Sequence, residues 1–227
     1  NVEVGGGGGE CRREGKSSGL LTIAGMAGVS DPGEEVVKRC AEAGVDVKAV
    51  PGACACVTAL TLYGLGTRRF AFEAFLPADK KERRGILEEL KAETRTIVIY
   101  EAPHRLVRTL EELSEALGNR KISICRELTK KHETIFRTDF QQALAYYEKE
   151  EPRGECVMVI EGRKAEELLK EKQDAWKEMT PKEHVDMYEA QGIAKKEAMR
   201  MAAKDRGVSR RGIDQALIAE EDDGQKR

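Results

Sequence analysis

Residues 20–62, LLTIAGMAGVSDPGEEVVKRCAEAGVDVKAVPGACACVTALTL, decide how the fold is read. A short apolar run (Leu20, Leu21, Ile23) enters the small-residue turn Ala24-Gly25-Met26-Ala27-Gly28, and the turn Ser30-Asp31-Pro32-Gly33 opens a helical pattern with Val36, Val37, Cys40 and Ala43 on one face. Gly44 suits a left-handed helix end. The alternating run Val45–Val50 predicts a strand that stops at Pro51-Gly52, and a second small-residue helix follows from Ala53 to about Leu62, with Gly64 behind it. Strand, turn, helix, strand, turn, helix is the unit of parallel sheets. Its strand-to-helix turns lie where open α/β sheets bind ligands, because backbone N–H groups there are unpaired. Ordinary turn chemistry accounts for the same glycines. No GxGxxG or GxxxxGK[ST] occurs, and Gly5–Gly9 has neither a strand before it nor a helix after it, so it is no phosphate loop.

Around this stretch, 227 residues allow two small domains and an appendage. The balance of 39 basic against 41 acidic residues excludes a globally polyanion-seeking protein while leaving room for local basic patches. No apolar run approaches the roughly 20 residues of a membrane span, and no signal peptide is visible. The six cysteines are irregularly spaced and several, such as Cys40, Cys125 and Cys156, fall on apolar faces, as expected in a reducing, cytoplasmic compartment. Cys54-x-Cys56 has no second ligand pair, so no metal site is expected.

The chain divides into a glycine-rich disordered start (1–19), a first α/β segment (20–68), a second α/β domain (69–163), a linker helix (164–179), a helix-turn-helix-like domain (180–219) and a disordered acidic tail (220–227). In the second domain, strands are predicted at Phe70–Leu76, Thr94–Tyr100, Lys121–Cys125 and Cys156–Ile160, alternating with helices and without a short-range hairpin. Asp79 opens a helix carrying the basic pairs Lys80-Lys81 and Arg83-Arg84, either a solvated helix start or a phosphate-contacting patch. Tyr100 leads into Glu101-Ala102-Pro103-His104-Arg105. Glu101, His104 and Arg105 can orient a substrate hydroxyl or grip a phosphate, or can be a helix-start charge cluster with Glu101 capping. Near the C-terminus, Thr180-Pro181-Lys182-Glu183 has the pattern of a capped helix start. Residues 194–213 then hold seven basic residues (Lys195, Lys196, Arg200, Lys204, Arg206, Arg210, Arg211) against Glu197 and Asp205, which points to nucleic acid.

Taken together, VSDPG, VPGACACVTAL, FLP, YEAPHRL, RELTKKHE and VMVIEG, closed by GIAKKEAMRMAAKDRGVS, resemble the tetrapyrrole methylase family, in its branch of bacterial small-subunit ribosomal RNA cytidine 2′-O-methyltransferases. The likeness spans roughly residues 20–219. It implies a two-domain α/β fold with a small C-terminal helical domain, S-adenosyl-L-methionine as cofactor, ribosomal RNA of the small subunit as partner and a homodimer. It places Ala24, Gly25, Met26 and Val29, then Cys54 and Ala55, and finally Ala102 and Leu128 around the cofactor. Glu101, His104 and Arg105 become the catalytic, RNA-facing group. Arg83, Arg84, Lys195, Lys196, Arg210 and Arg211 become RNA contacts. Against the family pattern, an Asp is replaced by Ile23 and a Thr-Pro by Met26-Ala27, and a first strand with its own glycine-containing cofactor loop is expected before Leu20, where the glycine-rich start does not match it. Two alternatives stay open. One is a methyltransferase of a small tetrapyrrole, which has no use for the basic C-terminal helices; the other is a truncated, catalytically impaired remnant with residual RNA binding.

Overall fold

A computed structural model describes residues 19–20, 25–30, 33–64 and 66–225. The glycine-rich start (apart from Gly19), most of the first apolar run, Ala24 and Asp31 lie outside the described residues. The chain separates into two compact units, Asn1–Gly162 and Arg163–Arg227.

In the first unit, helix α1 (Gly33–Glu42) and helix α2 (Ala55–Tyr63) precede β1 (Phe70–Phe75), α3 (Lys80–Lys91), β2 (Thr96–Glu101), α4 (Pro103–Leu117), β3 (Lys121–Arg126), β4 (Thr134–Asp139), α5 (Phe140–Tyr147) and β5 (Cys156–Ile160). The sheet order is β1-β2-β5-β3-β4. Among the described residues only β1 and β2 pair in parallel; β5 lies antiparallel between β2 and β3, and β4 is antiparallel to β3.

Period-two alternation in β2 sorts the two faces. Ile97 and Ile99 join Ile122, Ile124, Met158 and Ile160 under α3, α4 and α5, together with Leu106, Leu110, Leu113 and Phe140. Val98 joins Cys125, Val157 and Val159 on the opposite face, covered by Cys56, Ala59, Leu60 and Tyr63 of α2. Each such side chain contributes about 1.5–3 kcal/mol by leaving water. Because both faces of the middle strands are covered, β5 reads CVMVI without a polar residue and is buried throughout.

Three expectations change here. First, residues 45–50 are extended but belong to no strand, and Val47 and Val50 are exposed. An extended segment becomes a strand only when a neighbouring strand takes its N–H and C=O groups, and none among the described residues lies alongside it. Second, the sheet is mixed rather than parallel. Third, β3 and β4 do form a consecutive antiparallel pair, joined by residues 127–133. As an edge strand reading TIFRTD, β4 has no continuous apolar run to betray it.

The second unit contains α6 (Ala165–Asp174), a short 3-10 turn at Ala175–Glu178, α7 (Pro181–Ala190), α8 (Lys195–Arg206) and α9 (Arg210–Gln225). Helix α9 therefore continues through positions expected to be a disordered tail. The capping pattern is realised: Glu183 N–H donates to Thr180 Oγ1 (3.2 Å) and Thr180 N–H to Glu183 Oε2 (2.8 Å). Gly207 (φ +65°) takes the left-handed position that ends α8, and Ser209 Oγ accepts from Gly212 N–H at 3.1 Å to start α9. Val185, Ala198, Met199, Ala202, Ala203 and Ile213 form the core, so Met199 rather than Met201 is the buried methionine of α8.

Within that unit the His184 side chain is fully buried, stacked on Trp176 at 3.9 Å and facing Tyr188 at 5.4 Å. Arg206 Nε–H donates to its Nδ1 (3.1 Å), and Nε2 lies 3.5 Å from Asp205 Oδ2, too far for a good hydrogen bond. Burial first, and the Arg206 charge second, push the His184 pKa down, with Asp205 opposing.

Two measurements check this packing. The folded state holds His184 neutral while the unfolded chain protonates it near pH 6.5, so stability is full above about that pH and falls as the pH drops below it. Fluorescence of the single Trp176 during urea unfolding, run from about pH 7.5 to pH 5, should show a falling midpoint. His184→Phe should flatten that slope, and an equal slope in both proteins would contradict the assignment. Separately, a Cβ at Gly162 would overlap the carbonyl oxygens of Thr94 and Arg95, whereas one at Gly85 inside α3 meets nothing. Thermal melts should show Gly162→Ala destabilising by about 2 kcal/mol or more, and Gly85→Ala stabilising by about 0.5–1 kcal/mol.

Candidate functional site

Strands β1, β2 and β3 run one way and β4 and β5 the other, so one edge of the sheet collects three strand C-termini and two N-termini. The register lines up Phe75 with Tyr100, Glu101 with Cys156, Cys156 with Arg126, and Arg126 with Thr134. The turns following Glu101 and Arg126 leave the sheet on this same edge, with β5 between them.

Tyr100 ties the edge to the N-terminus of α2. Its hydroxyl accepts the Cys56 N–H at 2.9 Å, and its ring packs edge-on to Phe72 (4.9 Å) and Phe75 (5.7 Å). Burial pushes the phenol pKa up to about 12, so the hydroxyl keeps its proton. Cys54, the N-cap of α2, supplies no side-chain capping bond. Just ahead of it, Ala53 C=O accepts the Met26 N–H at 2.9 Å, which fastens the glycine turn 25–30 to the start of this helix. Gly25 adopts φ +80° there, a conformation strained for any residue with a Cβ. Cys54, Ala55, Tyr100 and Leu128 all pack on the Val98–Val157–Val159 cluster as its half-buried rim. Segments distant in sequence (54–56, 100 and 128) thus converge on one apolar rim beside a helix N-terminus, with the turn at Met26 bonded to its approach.

The loop after β3 is held in an unusual backbone. Glu127 (φ +51°) and Thr129 (φ +65°) are both left-handed without being glycine. Such residues persist only where surrounding bonds fix them. Here Glu127 exchanges main-chain and side-chain bonds with Glu155 (both 3.1 Å) and accepts Lys130 Nζ (3.1 Å), while Thr129 N–H donates to Glu133 Oε2 (2.7 Å). Gly154 (φ +74°) lies so close that any Cβ would overlap the Glu127 side chain.

The expected catalytic cluster is placed differently from its sequence reading. Glu101 is 1 % exposed and its carboxylate is fully engaged: Oε1 accepts from Ala102 N–H and Arg105 Nε, both at 2.8 Å, and Oε2 accepts from the Thr109 hydroxyl at 2.7 Å. Neither oxygen is open to take a substrate proton, so the helix-start alternative describes Glu101. His104 is exposed, and Arg105 remains 34 % exposed in its side chain while paired with Glu101. Ala102 is the N-cap of α4 and Pro103 its first residue, where the missing N–H costs nothing.

Arg83 also departs from expectation. It is 8 % exposed, bonded through Nη2 to Thr109 Oγ1 (2.8 Å) and through Nε to Glu112, so it faces the interior rather than a phosphate. Burial would raise the Glu112 pKa, but hydrogen bonds from Arg83 and Arg108 hold it below the usual carboxylate range. Arg84, next along the helix, is exposed. Sequence reading missed Tyr100 and Thr109 as organising residues. Tyr100 stood inside the decisive turn, but nothing in the sequence revealed its bond to Cys56 across 44 positions.

In the second unit, Lys195 and Lys196 occupy the first turn of α8, and Arg210 and Arg211 the first turn of α9, all four exposed. Cations at a helix N-terminus oppose the helix dipole by about 0.3–1 kcal/mol each. Beside a helix N-terminus, whose dipole favours negative charge, they can make a place for an anion. No helix among the described residues is long and apolar enough to cross a membrane, and no cluster among them could hold a metal ion.

The family model Tetrapyrrole (Corrin/Porphyrin) Methylases matches residues 9–144. A Ribosomal RNA small subunit methyltransferase I from Halalkalibacterium halodurans is 42% identical over 200 residues, covering 88% of this chain and 68% of that protein. Its counterpart from Bacillus subtilis is 42% identical over 204 residues, covering 90% of this chain and 70% of the relative. The one from Synechocystis is 38% identical over 211 residues, covering 92% and 74%.

Proposed function

The chain belongs to the tetrapyrrole methylase family, and from that premise we infer that it is an S-adenosyl-L-methionine-dependent methyltransferase acting on ribosomal RNA of the small subunit. The observation that carries the site is the convergence of Cys54, Ala55, Tyr100 and Leu128 on one rim at the strand ends, with the Met26 N–H bonded to Ala53 C=O beside it. The rim suits the cofactor: half-buried apolar side chains can cover an adenosine ring, and an α2 N-terminus without a side-chain cap can face a carboxylate. When bound, the cofactor supplies a methyl group already activated on a positively charged sulfur.

The remaining work is positioning. Exposed His104 and half-exposed Arg105 stand at the same edge, where Arg105 can grip an RNA phosphate and His104 can orient a ribose hydroxyl or carry its proton. Glu101 holds Arg105 and does not itself meet the RNA. The reading extends to the 2′-hydroxyl of a cytidine, a homodimer and a cytoplasmic location on the strength of the family resemblance. Lys195, Lys196, Arg210 and Arg211 supply a second RNA contact, with Arg84 as a further cation. A second reading, weakened cofactor binding, is favoured by one observation: residues 45–50 are extended without a strand partner among the described residues.

Calorimetric titration with S-adenosyl-L-methionine separates the two. Micromolar binding, followed by transfer of radiolabelled methyl to small-subunit RNA, is the expected result; a folded chain that binds no cofactor would overturn the enzyme reading. Changing Lys195, Lys196, Arg210 and Arg211 together to Ala should weaken RNA binding and lower the slope of log affinity against log salt by about 0.7–0.9 for each phosphate no longer neutralised. An unchanged slope would remove the second unit from RNA recognition.

A further inference from the structure

Thr109 is a polar residue on an apolar helix face. It is fully buried in α4 beside Leu106, Leu110 and Leu113, where a leucine or valine would pack without any hydrogen-bonding demand. A threonine within a helix ordinarily returns its proton to a main-chain carbonyl one turn back. This one donates to Glu101 Oε2 (2.7 Å) and accepts from Arg83 Nη2 (2.8 Å). The direction follows from the donors available. Arg83 can only donate, so the single hydroxyl proton must point at the carboxylate.

We propose that Arg83 and Thr109 are positioning residues for RNA recognition, a buried relay that acts through Glu101 to fix the guanidinium of Arg105 at the strand-end edge of the sheet. The proposal rests on the reading that this edge faces RNA. Its chain of contacts is complete. Glu112 takes Arg83 Nε and Arg108 Nε (2.9 Å from the latter), so the Arg83 head is oriented by a second carboxylate. Arg83 then sets the Thr109 rotamer, and Thr109 occupies Glu101 Oε2. Glu101 Oε1 is left turned toward Ala102 N–H and the Nε and Nη2 of Arg105, at 2.8, 2.8 and 2.7 Å. Without the hydroxyl, Oε2 becomes a buried acceptor with no partner, and the carboxylate gains by rotating away from Arg105. Well-packed apolar replacements of buried ionic groups often leave stability unchanged, so a network this polar is better explained by the orientation it imposes than by the stability it adds.

The test uses the full chain and a fragment of small-subunit ribosomal RNA, with affinity read by fluorescence anisotropy and cofactor affinity by calorimetry. Thr109→Val, nearly isosteric, should weaken RNA binding about fivefold to tenfold, as expected when one charge-assisted hydrogen bond is no longer oriented. Cofactor binding should stay within about twofold, and Thr109→Ser should restore RNA affinity. Combined with Arg105→Ala, Thr109→Val should add nothing, because both act through one guanidinium. Should Thr109→Val not fold, Arg83→Lys, which keeps the charge but loses the fork, carries the same expectations. Additive effects in the double variant, or unchanged RNA affinity in a folded Thr109→Val, overturn the relay while a weakened Arg105→Ala upholds the RNA-facing edge. Unchanged affinity in Arg105→Ala itself overturns the reading of that edge and the relay with it.

Discussion

A carboxylate at the last position of β2 sets the geometry on which the functional edge depends. Glu101 is buried where a strand becomes a helix, and burying an ionised group there is tolerable only because both of its oxygens are hydrogen-bonded. Its partners come from three places: the main chain at Ala102, the next helical turn at Arg105 and the second turn at Thr109. That last contact draws in Arg83 from α3. The strand end, the start of α4 and the first turn of α3 are therefore fixed relative to one another by polar bonds, while the apolar faces of the same helices pack on Ile97 and Ile99 behind them.

Tyr100, one residue earlier, does the complementary task on the other face of the sheet. Alternation along the strand sends Glu101 toward α4 and Tyr100 toward α2, so adjacent residues anchor opposite layers. Through the Cys56 N–H, Tyr100 holds the N-terminus of α2 over the strand ends, and through Ala53 and Met26 that helix start holds the glycine turn. The apolar rim of the proposed cofactor site is thus assembled by a few directional bonds on top of a non-directional core. Directional bonds of this kind set positions to a fraction of an ångström, which hydrophobic packing of interchangeable side chains does less sharply.

The second unit follows a different logic. Its core is small, made largely of alanine, methionine and valine, and its most constrained element is the stacked Trp176–His184–Tyr188 group with Arg206 beside it. Two pairs of cations at helix N-termini lie against the local electrostatic preference. Arg206, counted from sequence among the basic residues of a nucleic-acid surface, is instead spent on His184 and the main-chain carbonyls of Met179 and Thr180. The cations left for a partner are those that no carboxylate or carbonyl has claimed.

Sequence by itself determined the helix starts at Asp79 and Thr180, the buried strands β2, β3 and β5 and the family, since each is written in local periodicity, capping residues or motif order. It could not determine the antiparallel placement of β5, the edge strand β4 or that residues 45–50 find no strand partner among the described residues, because pairing depends on which strand lies alongside. Nor could it distinguish Arg83 from Arg84, or an open Glu101 from an engaged one. Neighbouring residues on a helix differ by about 100° in direction, and whether that turns a charge toward solvent or toward Thr109 and Glu112 is decided by the packing of α3 on α4. Residue type announced the chemistry available at the strand ends; only tertiary contact decided which of those groups remain free to act.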